Sequence, residues 1–205
     1  MIFHYNRYRP FWNDSNSSIG GFFLNGRAVV LIDGGYLNKV LLAVLPGHRI
    51  DYEKFSDLVC GNCERLRTYY YNCMPYQSSP PTEPEKQKYA NMSKFLHRIE
   101  QLSRFQIKLG RLQKYYNERG EVDFRQKRVD VLLAVDLAQL SWTRNIGTAI
   151  LVAGDSDFVP AVHTAKDAGV LVKLYYSDFS VHDELLTAAD DKILITRQML
   201  ESVAF

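Results

Sequence analysis

Two apolar runs that each stop on an aspartate constrain this chain more than any other feature. The first is Ala28-Val29-Val30-Leu31-Ile32-Asp33-Gly34-Gly35, and the second is Ala149-Ile150-Leu151-Val152-Ala153-Gly154-Asp155-Ser156-Asp157-Phe158-Val159-Pro160. A strand with one solvated face alternates apolar and polar residues, whereas these runs are continuous, as in parallel sheets covered on both faces. Ligands of open α/β sheets gather outside the carboxyl ends of such strands. Asp33 and Asp155 stand at those ends, which predicts a shared acidic pocket.

The remaining chain alternates helical and strand patterns. A helical pattern follows Asp33 over 36–42, and Asp51 is placed to cap a helix over 52–59. A strand is read over 66–71, then a proline-rich loop over 74–84, a helix over 85–103 and a strand over 105–110. A hairpin-like excursion turns at 118–121. The segment 128–142 is apolar nearly all round, which predicts a buried central helix. A helix ending near Gly169, a strand over 170–175, a helix over 184–189 and a short strand over 192–195 complete the order. This alternation implies an α/β fold with a mainly parallel sheet between helices.

The 205 residues, 46% of them hydrophobic, suit one domain with a single substantial core. Residues 1–26, rich in Asn, Ser, Gly and aromatics without a sustained period, read as an N-terminal extension, and residues 27–205 as the domain. The formal charge of +2 excludes a polybasic nucleic-acid binder, so any basic surface must be local. No apolar run has the length of a membrane span or of a signal peptide's core, which leads us to expect a soluble, cytoplasmic protein. Cys60, Cys63 and Cys73 are too few for a disulfide framework. Cys60-Gly61-Asn62-Cys63 has the spacing of half a zinc site, but no matching pair follows, and ordinary partly buried thiols are expected.

Carboxylates on or beside apolar elements are expensive to desolvate unless paired, hydrogen-bonded or bound to metal. Asp33, Asp130, Asp155 and Asp157 are four such cases. Brought together they would repel, and a divalent cation would relieve the repulsion. Oxygen-only donors favour Mg²⁺ or Mn²⁺ over zinc, and the natural chemistry of such ions is phosphoryl transfer or phosphodiester hydrolysis. Each aspartate taken alone has a plainer reading as a helix cap or a turn residue. Four at once, at two strand ends and inside an apolar helix, fit that reading poorly. Asp136 lies six helical residues beyond Asp130, about 120° round and roughly 9 Å along the axis. It is therefore expected behind the ion site, with Ser156, or in a structural hydrogen bond.

From Lys108 to Arg128 seven cations stand against three acids, with Tyr115 and Tyr116 interleaved. Such a strip can hold phosphates while aromatics stack on bases, although a solvated hairpin would look similar. Arg111, Lys114, Lys127 and Arg128 are the candidate nucleic-acid contacts, Lys127 and Arg128 first among them. Tyr36 could contact a base or a sugar, or fill the core at the start of its helix. His163 reads as a polar surface residue rather than a base.

Four segments carry a family resemblance: 31–37 (Leu-Ile-Asp-Gly-Gly-Tyr-Leu), 67–73 (Arg-Thr-Tyr-Tyr-Tyr-Asn-Cys), Lys127-Arg128-Val129-Asp130-Val131 with Ala134-Val135-Asp136-Leu137, and 151–160. Together they resemble the NYN family of PIN-like nuclease domains, in particular its bacterial LabA-like branch, from about residue 27 to 195. The resemblance implies a three-layer α/β/α PIN-like (Rossmann-like) fold and a metal-dependent ribonuclease leaving a 5′-phosphate and a 3′-hydroxyl. It also implies a metal site of Asp33, Asp130, Asp155 and Asp157. Tyr36 stands where many relatives have Asn, and Asn72 where many have Asp, so substrate contacts are expected to differ.

The leading expectation is a Mg²⁺- or Mn²⁺-dependent ribonuclease acting on RNA, with single-stranded RNA as its expected partner, through water activated by metal at the aspartate cluster. The alternative is a non-catalytic RNA-binding or regulatory domain that keeps the fold; a phosphatase of small phosphoesters is a third. A homodimer stays open.

Overall fold

The computed structural model describes residues 26–116, 122–143 and 146–205, with the backbone alone over 112–116 and 122–127. The proposed N-terminal extension, up to residue 25, and the hairpin turn at 118–121 lie outside the described residues. So do the side chains of Lys114 and Lys127.

The chain runs β1 (Arg27–Asp33), α1 (Gly34–Val44), α2 (Tyr52–Cys60), β2 (Glu64–Cys73), α3 (Glu83–Glu100), β3 (Phe105–Tyr116), β4 (Val122–Lys127), α4 (Val129–Trp142), β5 (Thr148–Val152), α5 (Val159–Asp167), β6 (Leu171–Tyr176), α6 (Asp183–Ala188), β7 (Asp191–Leu194) and α7 (Arg197–Glu201). The strands form one sheet in the order β4-β3-β2-β1-β5-β6-β7. All neighbours are parallel except the edge strand β4, which pairs antiparallel with β3 as the hairpin pattern predicts.

The continuous apolar runs behave as expected of strands buried on both faces. In β1, Ala28, Val30 and Ile32 pack with α1, α2, α3 and α7, whereas Val29 and Leu31 pack with α4, α5 and α6. Ile150 and Val152 of β5 join the first set, and Ala149 and Leu151 the second. The two-residue period of a strand thus divides one run between two cores. These residues are fully buried, each contributing about 1.5–3 kcal/mol for the larger side chains. The result is the three-layer α/β/α PIN-like fold.

Successive strands move from β1 outward through β2 and β3, and the chain then returns to place β5, β6 and β7 on the other side of β1. The order therefore reverses between β1 and β5. This is the switch point where α/β sheets open a crevice at their carboxyl edge.

Local chemistry sets several boundaries. Asp51 caps α2 by accepting from the Glu53 and Lys54 amides at 3.0 and 3.1 Å. The proline-rich loop ends earlier than its prolines suggest, because α3 begins at Glu83 and places Pro84 in its first turn. A proline's missing N–H costs nothing there, since the first amides of a helix have no intrahelical partner. Glu85 closes that turn by accepting from the Thr82 amide at 2.8 Å and the Ser78 hydroxyl at 2.6 Å, which hold its pKa down at about 2.

The structure corrects the expectation that α4 is buried all round. Val129, Leu133, Leu137 and Ser141 are buried, but Val131, Val135 and Trp142 are 64%, 54% and 60% exposed. A helix laid on one face of a sheet has only one side to bury, and an apolar outer side does not change that. Among the described residues, no helix is long and apolar enough to cross a membrane.

Candidate active site

Asp33 is the last residue of β1 and falls in the register of Val29 and Leu31, the set facing α4. It is also the N-cap of α1, its Oδ1 accepting from the Tyr36 amide at 3.0 Å. Asp155 follows β5 and caps the short 3-10 turn Ser156–Phe158, its Oδ1 accepting from the Asp157 amide at 3.1 Å. The plain cap reading is thus true of both residues. It does not exhaust them.

Asp33, Asp130 and Asp155 line one cleft of about 580 Å³ at the switch point. Burial pushes the Asp33 carboxyl above its ordinary range, and the charges of Asp130 and Asp155 push the same way, against the hydrogen bonds from the Tyr36 and Gly35 amides. Three carboxylates from β1, α4 and the turn after β5 therefore line the same cleft. Asp130 sits in the first turn of α4, which begins after Arg128 adopts a left-handed backbone with φ 76°.

The other sequence-predicted residues separate. Asp157 is exposed and outside the lining of the cleft. Ser156 lies beside the cleft, its Oγ 3.4 Å from His182 Nδ1. Asp136 is held elsewhere: it accepts from Tyr71 Oη at 2.8 Å and faces Lys108 Nζ at 3.4 Å. Its hydrogen-bond partner is a side chain rather than the neighbouring backbone. Arg111 and Arg128 are exposed, as is His163 on α5. Asn72 is buried in β2, where its Oδ1 accepts from the Cys73 amide at 2.8 Å. Cys60 is buried and Cys63 partly so, and burial raises the Cys60 thiol to about 12, too high for a reactive thiolate.

Tyr36 lines the cleft but is only 7% exposed, and its Oη accepts from the Ser177 amide at 2.8 Å. Burial, with Asp33 and Asp178, raises its pKa, so the phenol stays neutral as an acceptor. It fastens the segment after β6 over the end of β5. Gly154 permits this closeness, because a Cβ there would collide with the Ser180 carbonyl oxygen and the Tyr36 ring. The His182 amide completes the attachment by donating to the Gly154 carbonyl at 3.0 Å.

That segment supplies wall residues which the strand-end pattern does not single out. Asp178, Phe179, Ser180, Val181 and His182 line the cleft, as does Lys39 on α1. The signal available was their position: they follow β6, whose carboxyl end lies at the same sheet edge as those of β1 and β5. Phe179 is 53% exposed.

The donor set of the cleft is all oxygen and acidic, which suits a hard divalent ion. Among the described residues, no three Asp, Glu, His or Cys side chains stand close enough to hold an ion between them directly. Mg²⁺ does not require that, because it keeps several waters and commonly takes one or two carboxylates.

Residues 27–196 match the family described as the NYN domain. Among solved structures, the chain is similar to a protein of unknown function from Vibrio parahaemolyticus, with a TM-score of 0.57 and 15% identity over 84% of this chain and 94% of that one. This likeness concerns the fold alone. No curated protein matches the chain.

Proposed function

The chain belongs to the NYN domain family, and on that premise we propose that it is a divalent-metal-dependent ribonuclease of the family's LabA-like branch, with residues 27–205 as the catalytic unit. Its substrate is single-stranded RNA, its ion Mg²⁺ or Mn²⁺, and its setting the cytoplasm. One observation carries the reading: Asp33, Asp130 and Asp155 line a single cleft, where burial first, and then the charges of the other two, raise the Asp33 pKa. Carboxylates crowded in this way gain from a cation far more than from one another.

Asp33, Asp130 and Asp155 would hold the ion, one or two of them directly and the rest through its waters, with Asp157 completing the set directly or through water. When bound, the ion would supply activation of the attacking water and stabilisation of the leaving oxygen. The chain's own part is to aim the carboxylates and shape the cleft. Lys39 offers the cleft a cation for a phosphate, and the exposed Arg111 and Arg128 offer others at the surface. Lys114 and Lys127 extend that basic strip in the sequence.

The test is the Asp155→Asn variant in a chelator-sensitive assay of Mn²⁺-dependent cleavage of single-stranded RNA. Loss of cleavage by at least about a hundredfold, with circular dichroism unchanged, is expected. Cleavage at the wild-type rate would sink the proposal. That no three metal-ligating side chains among the described residues stand together favours a second reading, an RNA-binding or regulatory domain without turnover. Binding of RNA with no cleavage in Mg²⁺ or Mn²⁺ would select it, and turnover of nucleotide monophosphates alone would select a phosphatase.

A further inference from the structure

The cleft has a chemically distinct wall. Its carboxylates come from β1, α4 and the turn after β5, whereas Phe179 brings a large apolar ring to the same cavity from the segment after β6. An aromatic that is 53% exposed in a cleft lined otherwise mostly by charged and small residues is not there to fill the core. Nor is it on a loosely attached segment. The Ser177 amide donates to the buried Tyr36 Oη at 2.8 Å, the His182 amide donates to the Gly154 carbonyl at 3.0 Å, and Ser156 Oγ lies 3.4 Å from His182 Nδ1. These contacts fasten the segment on both sides of Phe179 to the elements that carry Asp33 and Asp155.

We infer that Phe179 is the stacking platform for a nucleobase of the RNA, and that Tyr36 is the positioning residue that holds the platform at a fixed distance from the carboxylates. The inference rests on the ribonuclease reading of the same cleft. A cleft of about 580 Å³ has the size of a small-molecule site and accepts about one nucleotide beside the carboxylates. Every base has a π-face, so a stacking wall selects for an unpaired nucleotide without selecting its sequence. A base within a duplex is already stacked on its neighbours, which makes single-stranded RNA the substrate this wall fits. Phosphate charge is met by Lys39, and the base by Phe179. The Tyr36 phenol, held by Ser177, is thereby explained without any contact to RNA.

The experiment measures cleavage of a fluorescent single-stranded oligoribonucleotide and of a series in which one position at a time is abasic. The full chain is compared with Phe179→Ala, Phe179→Leu, Phe179→Trp and Tyr36→Phe. Phe179→Ala and Phe179→Leu are expected to raise KM by on the order of tenfold with a much smaller change in kcat, and Phe179→Trp to keep the wild-type KM. Leucine keeps the apolar bulk, so a loss shared by Ala and Leu but not Trp identifies the π-face. At one abasic position the gap between wild type and Phe179→Ala should collapse, which names the stacked nucleotide. Tyr36→Phe should raise KM in the same direction, with its gap collapsing at that same position.

A gap that persists unchanged at every abasic position, or equal KM values for wild type and Phe179→Ala, overturns the platform while leaving the nuclease reading intact. If the wild-type chain does not cleave, that reading falls by itself. Fluorescence anisotropy with the same oligonucleotides then decides the platform: weaker binding of intact RNA by Phe179→Ala supports it, and equal binding overturns it.

Discussion

Asp130 and Asp136 lie on the same helix six residues apart, and the chain uses them in opposite ways. Asp136 is neutralised on the spot, with a phenol donating to it and an ammonium 3.4 Å away. Asp130 faces a cleft where its charge adds to those of Asp33 and Asp155. A carboxylate whose donors are supplied by the fold stabilises that fold. Carboxylates that share a cleft repel one another, and a cation bound there relieves that repulsion. Burial alone does not distinguish them, since both side chains are partly buried. The neighbours do.

The sharpest way to break this contrast is to exchange each carboxylate for its amide. Asp130→Asn should lower Mn²⁺-dependent RNA cleavage by at least about a hundredfold with circular dichroism unchanged. Asp136→Asn should do the reverse, costing about 1–3 kcal/mol of stability through its buried tyrosine and partly solvated lysine partners, with cleavage per folded molecule little changed. Equal activity losses in the two variants would erase the division. Differential scanning calorimetry and initial rates on the same preparations provide the comparison.

Gly154→Ala tests whether the cleft depends on close approach rather than on its carboxylates alone. The added Cβ would displace the Ser180 carbonyl or the Tyr36 ring, and a cost of about 1–3 kcal/mol is expected together with a raised KM. A variant with wild-type melting and KM would show that the segment after β6 shifts freely.

A smaller effect follows from the raised pKa of Asp33. Its ionisation is disfavoured in the folded state, so at neutral pH the charge lowers stability, and Asp33→Asn should raise the melting temperature by a few degrees. Asparagine can still cap α1. The gain should disappear as pH falls below the ordinary carboxylate value of 3.8, where the group is protonated in folded and unfolded chains alike. A gain that persists undiminished in acid would assign it to something other than charge. Mn²⁺ at a hundredfold excess over Kd should stabilise the wild type by about 2.7 kcal/mol and Asp33→Asn by less.

The smallest change is expected at the edge of the balanced site. Lys108→Met removes one of the two partners of Asp136 and should cost about 0.2–1 kcal/mol, because the lysine is itself partly solvated and Tyr71 remains. Urea titration reads it. A loss as large as that of Asp136→Asn would make the lysine, not the tyrosine, the main partner.

Much of this architecture is legible in the chain itself. Ala28 to Ile32 and Ala149 to Val152 declare strands buried on both faces, because only a sheet between two helical layers tolerates unbroken apolar runs. Asp51 announces its helix by capping chemistry that operates over three residues. Asp33 and Asp155 announce the cleft because a strand that ends in a carboxylate must deliver it to the sheet edge. Patterns of this kind arise from contacts local in sequence, or from a burial that affects every residue of an element.

What tertiary structure alone decides are the pairings between elements distant in the chain. The outer side of α4 is apolar in sequence yet exposed, since the helix meets the sheet along one side only. Asp136 is held by Tyr71, 65 positions earlier, and Tyr36 is occupied by Ser177, 141 positions later. Phe179 becomes a wall of the cleft only because the strand order reverses at β1 and brings the end of β6 beside that of β5. The sequence determined which side chains the sheet would present at its edge. The order of the strands decided which of them would meet, because like charge, stacking surface and hydrogen-bond partner are properties of neighbours in space.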